Sequence, residues 1–410
     1  MLRWICKLAP TCLLPTFFLG IASPGLWAQL PSANVEFAPA THGVVTVPVR
    51  NGLDMQASVN GQPPLDVLFD TGSGSIMSAN LAHRLGLKQE GNSVLAGFGS
   101  NTIPGTFARV DNLTIGGLTL HGVYFAVIDP PIATSEEFAV LGDQLVQRLV
   151  VTVDFVRQQI TFTDASRFRH VGKSKPIPLR VEGNGLEVQG EADGMHGTFG
   201  VDTGDVWSLT LLSSFVKKHD LVQHYGAKFQ GYGGSGIGGP DHAFYARVHT
   251  LRLGDVEVHA PFTFLYTDTD RGSNNSTYAT DYAGNIGQHI LRQFTVTFDL
   301  PHGALYLEKN AFYGKPDIFN RAGLVLDADF DSLTVMTVLP GSPGADAGIA
   351  EGDKIMAIDG RPMKQPTGVA ALSEAVGVNA FTRPVGTVLS LKIRHGDSER
   401  TVSLTLKEIL

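Results

Sequence analysis

Cysteine is nearly absent from this 410-residue chain: Cys6 and Cys12 are the whole supply, and both stand close to the start. A disulfide framework is therefore excluded for everything downstream, where packing alone must hold the fold. Charge is also thin. Charged residues make up 17% of the chain, the formal net charge is −8, and no lysine or arginine cluster interrupts it. That distribution lacks the basic footprint of a nucleic-acid binder. The 13 histidines are scattered, and His219 and His224 lack the spacing and partners of a zinc motif, so neither a metal nor another cofactor is expected. The apolar stretch from Leu8 to Ala22 is broken by Pro10 and Pro15 and is too short for a comfortable membrane span. Long helical patterns are few.

What the chain does contain is 47 glycines among many β-branched residues, a composition that predicts β-rich structure. Arg3 and Lys7, the apolar stretch after them, and Leu26-Trp27-Ala28 before Gln29 read together as a targeting segment over 1–28. Its removal would take both cysteines and two positive charges, leaving an exported chain, periplasmic or secreted, with no stable membrane span. Residues 29–43 are compatible with a pro-segment, an added strand or a disordered lead.

One short motif occurs twice. Asp70-Thr71-Gly72-Ser73 is repeated as Asp202-Thr203-Gly204-Asp205, and each copy follows an apolar run, Leu65 to Phe69 and Thr198 to Val201. A carboxylate at the end of a buried strand, followed by a small hydroxyl residue and a glycine, predicts a tight turn where backbone approaches closely. Two such turns meeting across a pseudo-two-fold axis would bring two carboxylates together. Such a pair cannot both ionise cheaply and shares a proton.

The surroundings repeat too. A helical segment from Ala79 to Leu85, closed by Gly86, follows the first copy; Ser213 to His219 follows the second. Phe98 sits in Gly97-Phe98-Gly99 and Tyr232 in Gly231-Tyr232-Gly233-Gly234, both reading as glycine-rich hairpin tips. Arg109-Val110 with Leu113-Thr114-Ile115-Gly116 is echoed by Arg247-Val248 with Leu251-Arg252-Leu253-Gly254. Val140-Leu141-Gly142 and Asn285-Ile286-Gly287 each precede an aspartate, Asp154 and Asp299, at the end of an alternating strand. The chain is an internal duplication.

On these motifs, residues 44 to 308 resemble the retropepsin-like and pepsin-like aspartic proteases. The resemblance implies a mainly β fold of two pseudo-symmetric acid-protease β-barrel lobes, 44–170 and 171–311. It implies Asp70 and Asp202 as the catalytic pair, supported by Thr71, Gly72, Ser73, Thr203, Gly204 and Asp205. Thr71 and Thr203 would brace the turns against each other, Gly142 and Gly287 would lie in strands beneath them, and Phe98 or Tyr232 would cap the site from a flap. Asp205 departs from the family pattern, in which the fourth motif residue is small. A third carboxylate there would raise a neighbour's pKa by like-charge repulsion, supply a proton itself or mark a decayed site.

Beyond Arg321 the pattern changes. Pro340-Gly341-Ser342-Pro343-Gly344-Ala345, Ala347-Gly348-Ile349 and Gly352-Asp353-Lys354-Ile355 follow an alternating strand, Leu333 to Leu339. The order resembles bacterial PDZ domains, which implies a small α+β domain over 321–410 after a linker at 312–320. Ala322-Gly323-Leu324-Val325 would be its carboxylate-binding loop, with Gly323, Leu324 and Val325 offering backbone N–H groups to a peptide's C-terminus.

The expected activity is hydrolysis of peptide bonds in protein or peptide substrates by a water held between Asp70 and Asp202, with the PDZ domain recruiting or gating substrate. Two other readings stand beside it: a catalytically inactive, peptide-binding pseudoprotease, and a scaffold that holds partners through the PDZ groove.

Overall fold

The computed structural model describes residues 33–50, 52–96, 102–129, 137–182, 185–236, 239–267, 282–328, 332–363 and 378–410. The expected targeting segment and Phe98 lie outside these residues.

The first lobe closes on itself. Leu118–Ile128 pairs with Ile76–Ser78, then follow Ala139–Leu141, Leu65–Phe69, Asp54–Val59 and Thr102–Ile115, which returns to Leu118–Ile128. Period-two burial drives this, since residues at alternate positions turn their apolar side chains inward. Asn34–Phe37 adds a strand outside the ring, with Asn34 opposite His121 and Phe37 opposite Leu118. Of the three options open for 29–43, its described part is thus an added strand.

The second lobe traces the same circuit with its long hairpin broken. Gly239–Arg247 continues as Thr250–Leu253, and Val256–His259 continues as Phe262–Leu265. The break falls at Ala260, which takes a left-handed φ of 48°, and Pro261, which has no amide to give the ladder. The inner strands match those of the first lobe: Tyr282–Ile286 runs parallel to Met195–Val201 and antiparallel to Leu209–Leu211.

A six-stranded antiparallel sheet joins the lobes, three strands from each. Its central pair is Leu149–Asp154 against Phe294–Asp299, with Thr152 directly opposite Thr297 and their hydroxyls 2.9 Å apart. Asp154 ends its strand as a turn former, accepting the N–H groups of Val156 and Arg157. The apolar core runs continuously through both lobes, and Phe69, just before the first motif, meets Phe298 of the joining sheet edge-on at 6.4 Å.

The C-terminal domain has its own sheet, in the order Leu324–Ala328, Leu333–Val338, Lys354–Ile358, Val388–His395 and Ser398–Thr405. Its core includes Leu324, Ile355, Phe381 and Leu391, and a short helix, Pro343–Asp346, is capped by Ser342. This domain packs firmly against the second lobe. Tyr232, Tyr245, Phe262 and Phe264 of the lobe, Phe319 of the expected linker, and Val325 and Leu339 of the domain form one buried cluster.

The expected linker is tied down as well. Asp317, 7% exposed, accepts the N–H of Phe262 at 2.8 Å, the Ser208 hydroxyl and a hydrogen bond from His289 at 3.2 Å. Burial pushes its carboxyl up, but these partners outweigh it and hold the pKa at about 2.

Candidate active site

Both Asp-Thr-Gly turns hang from the inner strands at the junction of the lobes. The N–H of Asp70 donates to Leu141 O at 3.1 Å, and that of Asp202 to Ile286 O at 3.0 Å. The two threonines then lock the turns together. The Thr71 N–H donates to the Thr203 hydroxyl, and the Thr203 N–H to the Thr71 hydroxyl, each at 3.0 Å. Each hydroxyl donates onward to the other lobe, Thr71 to Val201 O at 2.7 Å and Thr203 to Phe69 O at 3.1 Å. Both residues are fully buried. Two small β-branched alcohols thus satisfy four backbone groups out of reach of bulk water.

The glycines set the approach. A methyl group at Gly72 would overlap the carboxylate of Asp202, and one at Gly204 would overlap that of Asp70. Each lobe's glycine thus lies directly over the opposite lobe's acid, and any side chain there would drive the two apart.

The carboxylates are held unequally. Oδ1 of Asp70 accepts the Gly72 N–H at 2.8 Å, while the Ser73 hydroxyl donates to Gly74 O at 2.9 Å. Oδ1 of Asp202 accepts two N–H groups, from Gly204 at 2.8 Å and Asp205 at 3.0 Å, while Oδ2 accepts Nδ2 of Asn285 at 3.3 Å. Burial raises the pKa of both acids. Asp202 is pushed well above the ordinary carboxylate value, because the charges of Asp70 and Asp205 add to its burial. For Asp70 the Gly72 N–H, and after it the carboxyl of Asp202, offset part of the rise. The pair favours one shared proton, held mainly on the Asp202 side.

Asp205 turns aside. Its Oδ1 accepts the N–H of Trp207 at 2.9 Å, so its side chain closes its own turn while its backbone N–H serves Asp202. Burial first, then the charge of Asp70, pushes its carboxyl up to about 6, against the pull of the Trp207 N–H.

Tyr232 occupies a different place from the hairpin tip that its glycines suggest. It is 6% exposed and lies in the aromatic cluster beneath the C-terminal domain, several residues short of the turn joining Gln230–Gly236 to Gly239–Arg247. Its N–H donates to the Thr337 hydroxyl at 2.8 Å, and its carbonyl accepts the Tyr245 hydroxyl. Gly323 takes a left-handed φ of 70°, and its N–H donates to Asn320 O. Leu324 faces its own domain's core, whereas Val325 faces the second lobe. Of the three amides expected to receive a carboxylate, that of Gly323 is therefore engaged within a turn.

Asn285, Tyr282, Gln288 and Asp317 escaped the sequence reading as site residues. Gln288 donates from Nε2 to Thr203 O, and the Tyr282 hydroxyl donates to Oδ1 of Asn285. The available signal was the polar Asn285 inside an otherwise apolar-apolar-Gly signature.

Among the described residues no group of three or more histidine, cysteine, aspartate or glutamate side chains has metal-binding geometry. None of their helices is long and apolar enough to cross a membrane.

With this geometry in place, comparison with known proteins is informative. Residues 55–154, which include Asp70, match a family model described as aspartyl protease, and residues 334–377 match a PDZ domain. The chain thus carries one segment that matches the aspartyl-protease model and a C-terminal PDZ domain. The protease match ends before Asp202, whose turn repeats the matched one and is locked to it by the two threonines. A 79-residue stretch is 37% identical to a putative serine protease, HhoA, of Synechocystis, covering 19% of this chain. The chain spans about a fifth of that relative's length. The crystal structure of an aspartic proteinase from Irpex lacteus is similar over 66% of this chain and 99% of that one, at 13% identity and a TM-score of 0.43. The aspartyl-protease segment and the PDZ domain together support a protease-type function.

Proposed function

We propose that this protein is an aspartic endopeptidase whose Asp70 and Asp202 hold and activate a water. The observation that carries the reading is the reciprocal Thr71–Thr203 grip, which places each carboxylate beneath the other lobe's glycine. In the shared-proton state Asp70 is ionised and takes a proton from the attacking water, while Asp202 donates to the scissile carbonyl oxygen. The pair then protonates the leaving amine as the tetrahedral intermediate collapses. Neither step needs a covalent intermediate. The sideways turn of Asp205 leaves the two acids facing each other, which favours a working pair over a decayed one.

The PDZ domain recruits or gates substrate in this reading. Support comes from its grip on the strand carrying Tyr232, through which a ligand on the domain would be felt in the second lobe. The chain would act after export, in the periplasm or outside the cell.

The test is a time course of the purified chain on an unfolded proteome between about pH 3 and 7, the range suggested by carboxylate-pair chemistry. Asp70→Asn and Asp202→Asn run alongside, with cut sites read by mass spectrometry. Cleavage lost in both variants is the expected result. Cleavage that persists in both, or its absence from the wild-type chain, overturns the reading.

A further inference from the structure

The two lobes differ at one layer beside the acids. In the first, Leu68 stands opposite Val140; in the second, the matching pair is Gly200 and Asn285. A side chain at Gly200 would overlap the Tyr282 hydroxyl and Oδ1 of Asn285. The missing side chain is therefore the space that two polar groups fill. Tyr282, 4% exposed, donates its hydroxyl to Oδ1 of Asn285, which orients the amide with Nδ2 toward Oδ2 of Asp202.

This replacement coincides with another. In the first lobe, the residue after the Asp-Thr-Gly triplet is Ser73, whose hydroxyl donates to Gly74 O at 2.9 Å. The equivalent residue of the second lobe is Asp205, whose carboxylate is occupied with the Trp207 N–H. We propose that Tyr282 and Asn285 form a positioning element for Asp202, supplying from the neighbouring strand the side-chain donor to Oδ2 that Asp205, its own carboxylate turned to the Trp207 N–H, does not supply. The inference rests on the dyad reading above.

Oδ1 of Asp202 is already fixed by two N–H groups, so a donor on Oδ2 fixes the plane of the carboxylate and favours its ionised form. The titratable groups facing Asp202 are Asp70 from the other turn, Asp205 on its own turn and Tyr282 on the adjacent strand. The two acids oppose its ionisation, and the neutral amide offsets part of that opposition.

The experiment uses the full chain, with Asn285→Val, which installs the first lobe's residue, and Tyr282→Phe, which keeps the ring and removes the hydroxyl. Carboxyl carbons are labelled in aspartate and titrated by NMR, with Asp202→Asn identifying the resonance of Asp202. Hydrolysis of fluorescein-labelled unfolded casein is followed over the same pH range. The Asp202 midpoint should rise by about one unit in Asn285→Val and by roughly half that in Tyr282→Phe, as loss of one hydrogen bond to a charged group implies. The alkaline limb of kcat/KM, which reports loss of the proton held on Asp202, should move in the same direction, and kcat should fall about tenfold with KM nearly unchanged. An Asp202 midpoint that stays put in both variants overturns the inference, even if the rate falls. Should the wild-type chain show no Asp70-dependent cleavage, the dyad reading fails, while the midpoints still decide whether Asn285 acts on Asp202.

Discussion

The backbone N–H of Tyr232 donates to the side chain of Thr337 across the boundary between the second lobe and the PDZ domain, at 2.8 Å. The bond sits in an apolar surround: Tyr245, Phe264 and Tyr266 on one side, Val325 and Leu339 on the other. The Tyr266 hydroxyl holds the next carbonyl, Gly233 O, at 2.7 Å. One strand of the lobe's glycine-rich hairpin is thus anchored by side chains on both faces of the boundary, although glycines need no such support to form a turn.

Replacing Thr337 with valine keeps the volume and removes the acceptor, leaving a buried N–H without its partner at a cost of about 1–3 kcal/mol. Amide exchange at Tyr232 should then accelerate by roughly tenfold or more, as that free energy implies. Hydrogen-exchange mass spectrometry over the peptide around 229–236 reads this. Unchanged exchange would mean that the PDZ domain does not hold the hairpin.

The grip between Thr71 and Thr203 should be intolerant of the same substitution. Thr71→Val removes the donor to Val201 O and the acceptor for the Thr203 N–H in a fully buried site. The expected loss is about 2–4 kcal/mol of stability, from two hydrogen bonds and the polar groups they leave behind. Thr71→Ser, which keeps the hydroxyl, should lose far less. Urea denaturation of the two variants makes the comparison, and equal losses would contradict the hydrogen-bond account.

Much of this arrangement was legible in the sequence, because a carboxylate turn repeated in matched surroundings can serve few purposes. The turns, the glycines and the pairing of lobes followed from Asp70, Asp202 and their neighbours. The helix over Ala79–Arg84 ends one residue before the expected Leu85, with Gly86 at a left-handed φ of 65° just beyond it. What stayed hidden depends on long-range contact. Tyr232 among glycines reads as an exposed tip, and only the domain packed over it, more than a hundred residues later, makes it core. Asp317 reads as a linker aspartate because nothing local announces Ser208, Phe262 and His289. Asn285 was visible as a letter, but its meaning lies in the space left by Gly200 on the neighbouring strand.

Asp317 ties the segment before the PDZ domain to the second lobe, and its acid strength gives a pH test. Its folded pKa of about 2 lies below the ordinary carboxylate value of 3.8, so its contribution is complete above pH 3.8 and disappears as pH falls toward 2. The shift corresponds to about 2 kcal/mol. Asp317→Asn should lower the denaturation midpoint at pH 6, and the gap from wild type should shrink between pH 4 and 2. A gap that stays constant over that interval would assign the effect to packing rather than to the charge.

Asp205 is displaced in the opposite direction, and the sign of its test reverses. Its folded pKa of about 6 lies above 3.8, so relative stability is greatest below pH 3.8 and is lost as pH rises through about 6, where a poorly solvated charge must form. Asp205→Asn keeps an acceptor for the Trp207 N–H and removes that charge. The variant should therefore gain stability over wild type as pH rises from 4 to 7, by on the order of 2 kcal/mol. The same substitution removes a negative neighbour from Asp202, so the proton shared with Asp70 should leave more easily. Both limbs of the casein-hydrolysis profile should then shift toward acid, the alkaline limb more, because Asp205 carries its charge only at the higher pH. Thermal melts and rates measured on one buffer series test both halves. A profile that moves without the stability crossover would mean that Asp205 acts on the pair through geometry, and an unmoved profile would separate it from the chemistry altogether.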